Sequence, residues 1–343
     1  MSTKKTIYYN VGEDIKAYPD AWLYVAYSAR GAGKTYGFFN YCIQHKLKFL
    51  YLKRTQEDIK LLNHEEFSPF NPLNRDHDYG ITTVKMYDGI LKVVMNDVTV
   101  GLCMAMSAIH KYKGFDMSDV KMMCLDEFIP QLSERVNRKE GELLLDLYMT
   151  VSRDREARGE PPLKLCLFAN ATELYCPITD TLDIVDSLSE LNASGNEFMY
   201  LDERKIILHR IMYSVSADKD SHIYKGMQNT QWAEMAFHGE FSYNDFSKVK
   251  KINMNGFVPY VRVIYHRKDF YIYQHKENGL FYMTDSKGKV NYTYDLEIES
   301  DQSAFWYDWV YSLQKEIIDG NMVFKSYSLY NLIRNYRKLY NII

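Results

Sequence analysis

Residues 28–35 read SARGAGKT, a run whose residue types suit the binding of a phosphate chain. In the general pattern G-x-x-x-x-G-K-[ST], backbone N–H groups cradle phosphates, the lysine reaches the β- and γ-phosphates, and the hydroxyl binds Mg²⁺. Ser28 replaces the first glycine of that pattern. We therefore predict a site for ATP and Mg²⁺, with Thr35 on the metal and the phosphates held by Ser28, Ala29, Arg30, Gly31, Ala32, Gly33, Lys34 and Thr35.

A chance GKT in a turn is the alternative interpretation of this run. The run lies between an apolar segment, residues 21–27, and a segment with helical character, which is the context that a phosphate loop requires. That context argues against chance.

An acidic pair, Asp126-Glu127, directly follows a second apolar segment, residues 120–125. We predict that Asp126 holds Mg²⁺, directly or through water, and that Glu127 orients and polarises the attacking water. A solvated strand end is the alternative, and the phosphate loop weakens it. The two motifs are expected to meet at adjacent strand tips. A glutamate beside the metal-binding aspartate is typical of ATP-hydrolysing motors and helicases.

Four further polar residues could complete such a site. Arg153 and Arg155 lie near the end of a predicted helix, residues 141–157, and point to roughly opposite sides of it, so that one could reach a neighbouring subunit. Asn170 follows a predicted strand and could contact the γ-phosphate, although turns also favour asparagine. Lys113 could contact nucleotide or DNA phosphates. For the arginines and Lys113, a solvated surface is the simpler interpretation of the residues alone.

The elements that must position these residues alternate between strands and helices, which predicts a parallel α/β sheet. An Asp88-Gly89 turn predicts a hairpin over residues 84–95. Residues 61–79 show no period and are expected to form an irregular loop. We predict three regions: an ATPase domain over residues 1–195, a linker over 196–245, and a C-terminal domain of short strands and two helices over 246–343.

Composition excludes several classes of protein. The 343 residues carry a net charge of −3, which counts against a simple DNA-binding module, since such modules are usually basic. Neither the five cysteines nor the nine histidines have metal-ligand spacing, so we expect reduced cysteines and no metal except Mg²⁺. No signal peptide and no apolar run of about 18 residues is visible, so we expect no membrane association.

Four motifs, SARGAGKT, CLDEF, TVSRDRE and CLFANA, resemble in order and rough spacing the DNA-packaging ATPases of small picovirus-type podophages. The resemblance covers about residues 5–190, and the C-terminal half matches only in layout. It implies an ASCE-type P-loop NTPase domain, α/β with a mainly parallel sheet. A smaller α+β domain with an RNase H-like, vestigial nuclease fold would follow.

The resemblance also implies roles for single residues. Lys34 and Thr35 would bind nucleotide, Asp126 would bind Mg²⁺ and Glu127 would be catalytic. Arg153 resembles the family's trans-acting arginine finger, a role that Arg155 could share. Lys113 resembles a lysine that acts between subunits, and Asn170 resembles the strand-end sensor.

The implied function is an ATP-driven motor that translocates double-stranded viral DNA into a preformed capsid. Its expected partners are the capsid portal and further copies of itself in a homopentameric ring, and packaging RNA is a further candidate. We expect it in the host cytoplasm, docked transiently on the procapsid and absent from the mature virion.

We expect no DNA cleavage, because a two-metal nuclease needs converging carboxylates. In the C-terminal half, Asp295, Glu297, Glu299 and Asp301 instead alternate along one segment. Two other functions stay open: a helicase or replication-initiation ATPase acting on DNA, and a ring-forming adaptor that binds ATP without turnover. Glu127 argues against the adaptor.

Overall fold

The computed structural model describes residues 8–112, 116–131, 134, 136–213, 222–241 and 244–342. The chain divides into two compact units, residues 1–243 and 244–343, each of which is described by itself. Among these described residues, no helix is both long enough and apolar enough to cross a membrane.

The first unit contains one large sheet flanked by helices. Its described strands are β1 Leu23–Ser28, β2 Phe49–Lys53, β3 Thr82–Tyr87, β4 Ile90–Met95, β5 Val98–Ala105, β6 Met122–Asp126, β7 Lys164–Asn170, β8 Phe198–Leu201 and β9 Ile206–Ile211. Its described α-helices are α1 Val11–Ala17, α2 Lys34–Gln44, α3 Gln56–Leu62, α4 Asn71–His77, α5 Glu140–Ser152, α6 Pro177–Thr181, α7 Val185–Ser194, α8 His222–Met227 and α9 Gln231–His238.

The strand order of this sheet is β3-β4-β5-β2-β6-β7-β1-β9-β8. The strands from β5 to β9 in that order all pair parallel, whereas β3, β4 and β8 pair antiparallel, with β3 and β8 at the two edges of the sheet. Every residue of β1 and of β9 is buried, as expected for parallel strands covered on both faces. The predicted α/β fold with a mainly parallel sheet is confirmed, and the hairpin at Asp88-Gly89 joins β3 to β4.

Parallel strands end at the same edge of a sheet, and this edge carries polar side chains. Ser28 ends β1 opposite Asn170, the last residue of β7. Asp126 ends β6, and Lys53 ends β2. The sheet therefore brings four polar strand ends to one edge, where the loops between strands and helices begin.

The prediction of an irregular loop over residues 61–79 is wrong. Helix α3 ends at Leu62, a short 3₁₀ helix spans Glu65–Phe67, and α4 spans Asn71–His77. The sequence does contain start signals for α3 and α4. Thr55 and Asp58 form a capping box at the start of α3, and a proline lies in the first turn of α4. These helices are too short to show a clear apolar period.

Much of the predicted linker, residues 196–245, belongs to the first unit. Strand β9 pairs with β1, and α9 buries Ala233, Ala236 and two further apolar side chains. Strand β9 is hard to recognise in the sequence because it contains the polar residues His209 and Arg210. His209 Nδ1 lies 2.8 Å from Asp14 Oδ2, and Arg210 Nη2 donates to Glu240 Oε1 at 3.1 Å, so both are buried with partners.

The second unit is an α+β arrangement. Its strands are β10 Phe257–Tyr265, β11 Lys268–His275, β12 Phe281–Thr284, β13 Tyr292–Asp295 and β14 Met322–Phe324, in the order β13-β10-β11-β12-β14. Its helices are α10 Glu299–Phe305 and α11 Tyr311–Ile318, joined by a π-helical turn, followed by α12 Tyr327–Arg334 and α13 Tyr336–Tyr340. The three-residue strand β14 was too short to predict.

Carboxylates of this unit have cationic or backbone partners. Asp269 accepts from Arg262 Nη2 at 2.7 Å, and Asp285 accepts from Lys325 Nζ at 2.5 Å. Asp301 Oδ2 accepts from the backbone N–H of Asp295 at 2.9 Å. Loss of nuclease activity in this unit stays a prediction.

Candidate nucleotide-binding site

The loop between β1 and α2 turns sharply at two glycines. Gly31 has φ 76° and Gly33 has φ 78°, in the left-handed region that glycine adopts without steric cost. Helix α2 begins at Lys34, directly after Gly33. Loop amides and the positive end of a helix are thus brought together, as anion binding requires.

Lys34 is a buried cation at the edge of the sheet. Only 9% of the residue is exposed. Its Nζ donates to Ser28 Oγ at 2.5 Å and to Asn170 Oδ1 at 3.4 Å. Burial lowers the pKa of Lys34 to about 8, although Asp126 and Glu127 act to raise it. A phosphate group would supply the anion that a buried ammonium lacks.

Ser28 takes the place of the first glycine in the general pattern, and its side chain contacts Lys34. Its hydroxyl accepts from Lys34 and donates to the carbonyl of Ala29 at 2.5 Å. The side chain that replaces the first glycine therefore gives the lysine a partner. Asn170 is brought to the same ammonium, next to the phosphate loop.

Thr35 and Asp126 are joined directly. Thr35 Oγ1 donates to Asp126 Oδ2 at 2.8 Å, and the hydroxyl of Tyr51 donates to the same oxygen at 2.9 Å. A hydroxyl and a carboxylate are the oxygen ligands that Mg²⁺ takes from proteins when a substrate's phosphates supply others. These residues fit a Mg²⁺ ion bound together with a triphosphate.

The expectation of adjacent strand tips is wrong in one respect. Strand β7 lies between β1 and β6 in the sheet. The two motifs still meet, because Thr35 is on α2, beyond the end of β1, and its hydroxyl reaches Asp126.

Glu127 follows Asp126 and has an unusual backbone conformation, with φ 57°. Its side chain is 55% exposed, and its Oε2 accepts from Lys53 Nζ at 3.0 Å. Burial acts to lower the pKa of Lys53, but Asp126 and Glu127 outweigh it and the pKa is raised. From the sequence alone, Lys53 and Arg54 are possible contacts for nucleotide or DNA phosphates, with a solvated loop as the simpler interpretation. The position of Lys53 at the carboxyl end of β2, a strand next to β6, is the feature that could have revealed its contact with Glu127.

Arg54 holds the chain that follows Glu127. Its Nε donates to Glu140 Oε1 at 2.6 Å and its Nη1 to Glu134 Oε2 at 2.8 Å. Its Nη2 donates to the carbonyl of Phe128 at 3.0 Å. One guanidinium thus connects the segment that follows Glu127 to Glu140, the first residue of α5.

The two candidate arginines differ from expectation because α5 ends at Ser152. Arg153 has φ 31°, and its side chain is 40% exposed, with Nη1 3.9 Å from Asp116 Oδ1. Arg155 is buried, and its Nη2 donates to the carbonyls of Ser118 at 2.9 Å and Val120 at 2.6 Å. The predicted helical geometry does not apply. The guanidinium of Arg155 is held by backbone carbonyls of its own unit, which counts against the shared role expected for it. Lys113 lies outside the described residues.

The model of the podovirus DNA encapsidation protein (Gp16) family matches residues 3–328. The chain belongs to this family. Its function is therefore the packaging of viral DNA, and the predicted resemblance is confirmed. No curated protein matches this chain significantly by sequence.

Solved structures show the same fold. The Phi-28 gp11 DNA packaging motor is 16% identical, with 98% of each chain covered and a TM-score of 0.65. The bacteriophage Phi-29 viral genome packaging motor assembly is 18% identical, with 97% of this chain and 100% of that chain covered, and a TM-score of 0.65. At these identities the structural similarity shows that this chain has the same fold, but it does not assign roles to single residues.

The low pKa of Lys34 predicts how ATP binding depends on pH. Bound phosphates should raise this pKa, so below pH about 8 the ammonium is charged with or without ATP, and affinity stays level. At higher pH the free protein must take up a proton to bind, so affinity should fall by up to about tenfold per pH unit. Calorimetric titration with Mg²⁺ and ATP from about pH 7.5 to about 9.5 measures this.

Lys34→Ala is the control: its affinity should be weak and should not show this decline. An affinity of the unaltered chain that stays constant over the same range would contradict the assignment of Lys34 to the phosphates.

Proposed function

We propose that this encapsidation protein hydrolyses ATP at the site formed by residues 28–35 and Asp126-Glu127, and that hydrolysis drives double-stranded DNA into a preformed capsid. One observation carries the proposal: the 2.8 Å hydrogen bond from Thr35 to Asp126, beside a buried lysine. Without that contact, the two motifs would be separate features of one sheet.

ATP would bind by an exchange of partners at Lys34. Its ammonium would leave Ser28 for the β- and γ-phosphates, while Asn170 stays close enough to contact the γ-phosphate. Thr35 and Asp126 would hold Mg²⁺, which when bound neutralises charge on the phosphate oxygens. The site therefore exchanges internal hydrogen bonds for contacts with the triphosphate.

Hydrolysis needs a water aligned with the γ-phosphorus. In the proposal, Glu127 orients this water and accepts its proton as the new phosphorus–oxygen bond forms and the bond to ADP breaks. The ammonium of Lys53, 3.0 Å from Glu127 Oε2, competes with water for that carboxylate. Glu127 would thus act once this ion pair opens, which makes Lys53 a positioning residue for the catalytic carboxylate.

Arg153 would act on the site of a neighbouring subunit. Arg153 lies directly after the end of α5, and its side chain is partly exposed. A guanidinium supplied in trans can stabilise the charge that develops on the γ-phosphate. The proposed assembly is a homopentameric ring on the capsid portal, in the host cytoplasm and absent from the mature virion, with packaging RNA as a further partner. Family membership supports this assembly.

The catalytic role of Glu127 predicts that Glu127→Gln binds ATP but hydrolyses it about 10²- to 10⁴-fold more slowly, because the amide is a far weaker base. The test measures ATP hydrolysis with procapsids and DNA, and nuclease-protected DNA as the packaging readout. Glu142→Gln, an exposed glutamate in the first turn of α5, is the matched control and should keep both activities.

Full turnover in Glu127→Gln would remove Glu127 from the mechanism. If the unaltered chain hydrolyses ATP at a rate that does not change when procapsids and DNA are added, hydrolysis is not coupled to packaging. Separation of the strands of a forked DNA substrate would favour a helicase instead.

An arginine acting in trans predicts complementation between two inactive variants. Arg153→Ala should lower hydrolysis by about 10³-fold or more, and Lys34→Ala should abolish it. Mixed rings restore some interfaces that pair an intact phosphate loop with an intact Arg153. A mixture of the two variants should therefore hydrolyse ATP faster than either alone. Activity that does not rise on mixing would indicate that Arg153 acts within its own subunit or not at all.

A further inference from the structure

Tyr8 lies directly against the phosphate loop. A Cβ placed on Gly33 would come within 2.7 Å of Tyr8 Cδ1. The next residue fixes this position: Tyr9 N donates to the carbonyl of Ala32 at 2.9 Å, and the hydroxyl of Tyr9 donates to Asp14 at 2.7 Å. The segment that precedes α1 is thus fastened to the loop.

Helix α2 is shaped to accept this segment. A Cβ on Gly37 would lie 2.1 Å from the carbonyl oxygen of Tyr9, so any larger residue there would displace the chain. The position of Tyr8 is therefore set by a glycine one turn into the helix that starts at the phosphate loop.

A second aromatic ring lies beside Tyr8. The ring centroids of Tyr8 and Tyr36 are 5.8 Å apart, with 36° between their planes. The hydroxyl of Tyr36 donates to Asp76 Oδ2 at 3.1 Å and lies 3.2 Å from His77 Nε2, so α4 fixes the second ring. We call Tyr8 and Tyr36 the aromatic pair.

The proposed hydrolysis uses neither ring, yet Tyr8 lies against the loop that would hold the phosphates. Phosphate loops orient their ligand: the γ-phosphate faces the catalytic carboxylate, the lysine contacts the β- and γ-phosphates, and loop amides hold the α- and β-phosphates. The base is attached beyond the α-phosphate, so it must lie next to the loop on the side away from the γ-phosphate. Tyr36 directly follows Thr35 on α2. Tyr8 is 48% exposed, which leaves part of its ring open to a ligand.

We propose that the aromatic pair is the site for the nucleobase, with the purine of ATP stacked on Tyr8 and flanked by Tyr36. This inference rests on the proposed function, because it requires a triphosphate in the phosphate loop. Stacking of a base on an aromatic side chain contributes about 5- to 100-fold in affinity, and a purine offers a larger π surface than a pyrimidine.

Two ligands, Mg²⁺ with ATP and inorganic tripolyphosphate, separate the base from the phosphates. With the full chain and titration calorimetry, Tyr8→Ala should bind ATP about 5- to 100-fold more weakly, while its affinity for tripolyphosphate should not change. The unaltered chain should bind ATP more tightly than UTP, and the ratio of these two affinities should be smaller in Tyr8→Ala. Tyr8→Phe keeps the ring and should bind like the unaltered chain. Tyr292→Ala, which removes an exposed tyrosine of the second unit, is the matched control.

Unchanged ATP affinity in Tyr8→Ala would overturn the inference. An equal loss of affinity for both ligands would also overturn it, because Tyr8 would then only support the phosphate loop. If the unaltered chain binds neither ligand, the proposed function fails as well. If it binds both and Tyr8→Ala matches it, only the nucleobase site is wrong.

Discussion

The hydrogen bond between Thr35 and Asp126 joins two segments that are 91 residues apart in the sequence. It exists because β1, β7 and β6 run parallel and end at one edge of the sheet, and because α2 starts within reach of the end of β6. The same edge supplies Asn170. The site is thus a consequence of strand direction, and any change that reversed one of these strands would separate its parts.

Charge balance explains why the site suits a triphosphate. Lys34 is buried against neutral oxygens, which lowers its pKa, whereas Lys53 lies between two carboxylates, which raise its pKa. The first lysine therefore gains most from an incoming anion, and the second is already neutralised. This asymmetry is the basis for proposing that Lys34 binds the phosphates and that Lys53 positions Glu127.

Two of the residues proposed to act in hydrolysis have an unusual backbone conformation, which ten other described residues besides glycine share. Glu127 and Arg153 both have positive φ, which for residues other than glycine costs about 1–3 kcal/mol. Arg54 provides the opposing restraint near Glu127, since it holds the carbonyl of Phe128 and anchors to Glu140 at the start of α5. Arg54 bonds to the first residue of α5, and Arg153 follows its last residue, so one helix links the segment after Glu127 to the residue proposed to act on a neighbouring subunit.

Local patterns in the sequence were enough to predict residues 28–35 as a loop between a strand and a helix, Asp126 at the end of a strand, and the alternation of strands and helices that gives a mainly parallel sheet. Lys53 and Arg54 could not be assigned, because their roles depend on β2 pairing with β6. Strand β9 was missed because His209 and Arg210 resemble surface residues until Asp14 and Glu240 are placed beside them. The burial of Arg155 could not be predicted, because its partners are backbone carbonyls, which no sequence pattern specifies.

The most direct measurement is a structure of the full chain bound to Mg²⁺ and a non-hydrolysable ATP analogue. Mg²⁺ should lie about 2.0–2.1 Å from Thr35 Oγ1, with Asp126 as a direct ligand or bonded through water. Lys34 Nζ should have left Ser28 for the phosphates. A triphosphate bound elsewhere, with the Thr35–Asp126 and Lys34–Ser28 hydrogen bonds intact, would contradict the proposed site.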